Sequence, residues 1–158
     1  MKESKSFGYL GHTFQVKLIN QIITDKKFAN NIIEVIDPKY FDNQYFKLIS
    51  QMAKEYFEKY NTPPTFDVLD QTTRLEVSSD MARTNIFDML VEIRECSVED
   101  HLWIQEKALK FCKQQELKKA IVKVNKIIEK GDFESYDKCE EYIRVATQIG
   151  EVTDGAMD

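Results

Sequence analysis

Glu99, Asp100 and His101 set two carboxylates directly beside an imidazole, the residue types that general acid–base catalysis uses. Consecutive residues of a helix, however, point about 100° apart, so these three side chains do not converge on one substrate atom. The two acids fit the positive end of a helix dipole instead, with His101 on the surface or at an interface. The other histidine, His12, has no chemical partner nearby in sequence. A small hydrolase using His101 with Asp100 or Glu99 therefore ranks last among the functional readings.

Other reactive patterns are missing. The five glycines, at positions 8, 11, 131, 150 and 155, never stand at the GxxxxGK[ST] spacing that wraps a nucleotide phosphate, and HExxH, GxSxG and dinucleotide-loop patterns do not occur. The three cysteines, Cys96, Cys112 and Cys139, have neither CxxC nor Cys/His spacing, which points to reduced thiols rather than a disulfide framework or a zinc site. No catalytic, cofactor-binding or metal-binding residue is expected.

Charge leaves one candidate nucleic-acid surface. The chain carries 27 acidic and 22 basic residues, a formal charge of −5, so its overall field does not attract a polyanion. Between Glu106 and Lys130, eight lysines face three glutamates, a local surplus of five positive charges that includes Lys118, Lys119, Lys123 and Lys126. The stretch has no arginine and only Phe111 as an aromatic, so it reads first as the solvated face of a long helix. Tyr40, Phe41, Tyr45, Phe46, Tyr56, Phe57 and Tyr60 are numerous enough for a base-stacking platform, but their helical spacing favours core packing.

The elements that position these residues are all helices. Gly and Pro are scarce, at five and three, and few segments alternate with the period of a half-buried strand. Phe14, Leu18, Ile19, Ile22 and Ile23 form the apolar stripe of a first helix after a loose polar start. Asp25 is placed to cap a short second helix bearing Phe28, Ile32 and Val35, which Asp37-Pro38 ends. From a cap at Asp42, Phe46, Ile49, Ala53, Phe57 and Tyr60 mark a central helix that stops at Asn61-Thr62-Pro63-Pro64. Thr65 caps a short helix with Phe66 and Leu69, and Ile86, Met89, Leu90 and Ile93 mark a further helix from about Ser79.

The last third is a helical hairpin. One pattern runs from Val98 to Lys130 without Gly or Pro, opened by a near capping box of Ser97 and Asp100 and closed by Gly131. Asp132 is placed to cap a return helix carrying Phe133, Tyr136, Tyr142, Ile143 and Ala146, antiparallel to the first because the turn is short. Leu117, Ile121, Val124 and Ile128 step by four, three and four, the seam of a short coiled coil. One hairpin covers only part of that seam, so the rest is an association surface. The expected architecture is all-α: a compact multi-helix head of about five helices in residues 1–96, a long antiparallel hairpin in 97–149, and a disordered linker start in 150–158.

Two stretches then resemble a known family. The run Val16 to Leu69, with "IIEVIDPKYF", "YFKLISQMAKEYFEKY" and "NTPPTFDVL", resembles the start of DnaB-type replicative DNA helicases, where a proline-containing turn and a Phe precede the central helix and a Pro-Thr-x-Asp-like element follows it. The segment "SVEDHLWIQEKALKFCKQQELKKAI" is similar to phage helicases of this type, in which an Asp-His pair and a Trp open the long hairpin helix. The resemblance implies the N-terminal assembly and primase-docking domain of a hexameric helicase acting in DNA replication. It implies self-association of hairpins as dimers, then as a trimer of dimers, through Leu117, Ile121, Val124, Ile128, Phe133, Tyr136, Tyr142 and Ile143. It also implies a primase partner and in some cases a helicase loader. ATP, Mg and most DNA contact would belong to a motor domain that these residues lack, so no cofactor is expected here. The opening residues depart from the common bacterial pattern, so loader and primase contacts do not transfer residue by residue.

The alternative is an independent helical nucleic-acid-binding protein that uses the lysine-rich helix. The polar residues Met1 to Ser6 are not followed by an apolar run, so neither a secretory signal nor a membrane span is expected and the location implied is cytoplasmic.

Overall fold

A computed structural model describes residues 6–149, and these are all-helical, without strands. In chain order the α-helices are α1 (His12–Thr24), α2 (Lys26–Ile32), α3 (Gln44–Tyr60), α4 (Phe66–Glu76), α5 (Asp80–Glu95), α6 (His101–Lys130) and α7 (Tyr136–Thr147). Short 3-10 turns precede α1 (Phe7–Leu10) and lie between α2 and α3 (Pro38–Tyr40) and between α6 and α7 (Phe133–Ser135). The backbone divides into two compact units, Met1–Gln105 and Glu106–Asp158. The linker expected at 150–158 lies outside the described residues. Among those residues no helix is long and apolar enough to cross a membrane.

Local chemistry sets the helix starts in the first unit. The side chains of Asp25, Thr65 and Ser79 accept hydrogen bonds from the backbone N–H of Phe28, Val68 and Ala82, as capping residues should. The cap of α3 is Asn43, not Asp42: its side-chain oxygen accepts from Tyr45 N–H at 2.7 Å. Pro38 does not simply break the chain; it opens a 3-10 turn whose cap is Asp37, accepting from Lys39 N–H. At the end of α3, Asn61 takes the left-handed conformation (φ 58°), which an asparagine tolerates and which stops the helix before Pro63.

α1 is not a surface helix with one stripe. Phe14, Val16, Leu18, Ile19, Ile22 and Ile23 are buried, and so are the polar residues Gln15, Asn20 and Gln21 between them. A helix buried around its circumference is the centre of its unit. The buried amides are satisfied partly within the neighbouring turns and partly by distant chain. Gln15 donates to the Gly11 carbonyl and accepts from Asp42 N–H, and Asn20 donates to the Ile93 carbonyl at 2.9 Å. Gln105 donates to Gln21 at 2.6 Å and to the Asp25 carboxylate at 3.0 Å, which docks the start of α6.

The 3-10 turn Phe7–Leu10 carries a core residue, which a loose polar start does not suggest. Phe7 is fully buried, with ring centroids 5.8 Å from Phe14, 6.0 Å from Tyr40 and 5.2 Å from Phe41. Of the aromatic set expected to pack, Tyr40, Phe41, Phe46 and Phe57 are buried. Tyr45 is half-buried and accepts from the Asn85 amide, whereas Tyr56 and Tyr60 stack on each other outside the core.

Asn20→Ala should lower stability by about 1–3 kcal/mol, because the Ile93 carbonyl loses its amide donor and keeps only the weak Cys96 thiol. Urea unfolding of the two proteins measures the difference, and an unchanged midpoint would show that this bond does not anchor α5 to α1.

Candidate functional site

The second unit is built from most of α6, the turn after it and α7. Gly131, at φ 67°, ends α6 in a Schellman arrangement: Asp132 N–H reaches the Ile127 carbonyl and Gly131 N–H the Ile128 carbonyl. Asp132 does not cap α7. Its carboxylate accepts from the Ser135 hydroxyl at 2.6 Å across the 3-10 turn, and α7 begins only at Tyr136. The opening of α6 differs from a capping box in the same way, since Ser97 accepts weakly from Glu99 N–H, at 3.4 Å, and α6 starts at His101.

α6 and α7 face each other across a groove of about 460 Å³, bordered by Glu116, Lys119, Ala120 and Lys123 on one side and by Tyr142 and Ala146 on the other. Ala120 and Ala146 are buried, and the Lys123 ammonium sits 5.1 Å from the centre of the Tyr142 ring. Thus the α6 strip turned toward α7 is 116, 120 and 123. The expected seam of Leu117, Ile121, Val124 and Ile128 lies about 100° further round the helix at 3.6 residues per turn. Leu117 and Val124 are half-buried, but Ile121 is 46% and Ile128 56% exposed.

The other expected association residues fall in two places. Phe133 and Tyr136 form an edge-to-face pair at the turn, with centroids 5.2 Å apart, and Phe133 is 77% exposed. Tyr142 belongs to the groove, and Ile143, one residue on, is half-buried. Val122 and Val145, which the seam spacing passes over, are likewise more than half exposed. Their signal in the sequence is only that each is an apolar residue off the stripe of its helix.

The lysine face is not one free stripe. Lys119 pairs with Glu116 at 3.0 Å, Lys123 lies over Tyr142, Lys118 is partly buried and Lys126 is exposed. Phe111, the one ring in that stretch, is 3% exposed and cannot stack on a base. Lys138 from α7 adds a cation to the groove, while Glu116 and Glu141 offset much of the positive charge there.

Glu99, Asp100 and His101 do not assemble into a catalytic group. A ring nitrogen of His101 lies 2.9 Å from the Val98 carbonyl, within its own turn. The Asp100 carboxylate is taken by Lys17 of α1 at 3.0 Å. His12 does find a partner, in space and not in sequence: its ring nitrogen is 2.9 Å from the Glu92 carboxylate of α5. Cys96 donates to the Ile93 carbonyl, and partial burial pushes its thiol up, which keeps it protonated and unreactive. Among the described residues no cluster of His, Cys, Asp and Glu is placed to hold a metal ion.

Comparisons with protein-family models, with curated proteins and with solved structures find no match to this chain.

The Lys17 hydrogen bond holds the Asp100 carboxyl below its ordinary value of 3.8. A carboxylate with a depressed pKa stabilises the fold above its unfolded pKa, and that contribution disappears as pH falls through the folded value. In Lys17→Met the Asp100 carboxyl should titrate at a higher pH than in the native chain, as followed by carboxyl-carbon NMR. An unshifted titration would show that the ion pair is not formed in solution.

Proposed function

We propose that this chain is the N-terminal assembly domain of a DnaB-type replicative DNA helicase, and that α6 and α7 form an antiparallel hairpin through which copies of the chain associate. Ile121 and Ile128 carry the reading: both are half exposed on one strip of α6, turned away from the strip that faces α7. Branched apolar side chains repeated along a helix face gain free energy by leaving water, and a second hairpin presents the same strip to receive them. The order of the sequence elements supports the parentage, with the proline turn at Pro38, the central helix α3, the Pro63-Pro64 element and the Asp100-His101-Trp103 opening of α6.

In this reading the first unit is the head and the hairpin is the oligomerising arm of a ring collar that docks a primase. The exposed Phe133–Tyr136 pair at the hairpin turn extends the contact. Nucleotide hydrolysis and strand separation belong to a motor domain elsewhere in the parent protein.

The test is mass in solution. The native chain should be a dimer or larger at high micromolar concentration, and Ile121→Asp with Ile128→Asp should dissociate it by at least about a hundredfold, since the interface would bury unpaired carboxylates. Both positions are exposed in a single copy, so the fold tolerates the change. A native chain that stays monomeric would overturn the proposal.

A further inference from the structure

The first unit has a groove of its own, unrelated to the association strip. It lies between α3 and α4 and encloses about 370 Å³. Met52 and Val68 give it an apolar floor, Tyr56 and Tyr60 stand at one end, and Glu55 and Glu76 contribute a carboxylate each. The two rings are held 4.5 Å apart at 43°, and neither ring is in the core: Tyr60 is 55% exposed. The pair therefore has open aromatic surface beside two carboxylates.

Three features define the ligand. First, the rings already attract a cation, since the Lys59 ammonium lies 5.4 Å from the centre of Tyr60. Second, negative charge predominates locally. Among the groove's lining residues the carboxylates of Glu55 and Glu76 outnumber the one cation, Lys59. Arg74 is directed elsewhere, with its guanidinium 4.8 Å from the Phe87 ring of α5. Third, Glu55 is met by a neutral group, the Gln51 amide at 2.7 Å, and among the described residues no ion pair engages Glu55 or Glu76.

We propose that the α3–α4 groove is a docking site for an arginine side chain presented by a basic segment of a partner protein. The methylene stem of arginine would lie along Met52 and Val68, its planar guanidinium would stack on Tyr56, and its forked N–H groups would donate to Glu55 and Glu76. Arginine fits better than lysine because a flat, weakly hydrated cation can stack on a ring and bind carboxylates at once. The site uses neither Ile121 nor Ile128, so it stands or falls independently of self-association.

The probe is N-acetyl-glycyl-arginyl-glycine amide, titrated into the full chain and followed through the ring-proton NMR signals of Tyr56 and Tyr60. Saturable shifts confined to α3 and α4 are expected. The same peptide with citrulline, which keeps the shape and loses the charge, should bind at least about tenfold more weakly, as should the arginine peptide to Glu55→Gln with Glu76→Gln. Glu134→Gln with Glu140→Gln removes two exposed carboxylates of the second unit and should leave binding unchanged. Equal binding of the citrulline peptide would overturn the proposal on the native chain alone. So would a loss in the Glu134/Glu140 variant matching that in the groove variant, which would mean general attraction to an acidic protein.

Discussion

A helix buried on every side cannot leave a polar group without a partner, and this constraint organises the first unit. α1 carries Gln15, Asn20 and Gln21 into the interior along with its aliphatic residues. An unpaired buried amide costs a sizeable part of a domain's net stability. Each of the three therefore specifies where another segment must stand: Gln15 fixes the approach to α3 through Asp42 N–H, Asn20 fixes the end of α5 through the Ile93 carbonyl, and Gln21 fixes the first turn of α6 through Gln105. Apolar contacts hold the unit together, but these bonds select one arrangement of it.

Asp25 shows how economically one residue can serve two elements. One carboxylate oxygen caps α2 by accepting from Phe28 N–H, and the other accepts from Gln105. Around the same helix, Lys17 reaches Asp100 and His12 reaches Glu92, so α1 is linked to α5 and to the start of α6 by polar side chains at its surface as well as by amides within. The chemistry at Asp100 and His101 that looks catalytic in sequence is consumed by these structural contacts.

The second unit obeys the opposite rule. Its helix pair buries Ala120 and Ala146, which line the groove between α6 and α7, and leaves Ile121, Ile128 and Phe133 exposed. Small residues remove little apolar area from water. The larger side chains of Ile121, Ile128 and Phe133 thus remain available for contact, and lysines beside them keep the exposed face hydrated. The two units differ in what their folding buries.

Local signals were enough for much of this protein. The helical class, the caps at Asp25, Thr65 and Ser79 and the stop at Gly131 depend on residues within a few positions of one another, so they can be read from the chain directly. Steps of four, three and four also mark Leu117, Ile121, Val124 and Ile128 as one seam. Tertiary structure alone decided that α7 faces the neighbouring strip at Glu116, Ala120 and Lys123, because the period gives a helix's stripes but not which of them a partner helix covers. It also decided that the polar side of α1 is interior, that Phe7 belongs to the core, and that Tyr56 and Tyr60 do not. Those outcomes depend on residues as far apart as Asn20 and Ile93 or Gln21 and Gln105, and no local pattern records a hydrogen bond across such a distance.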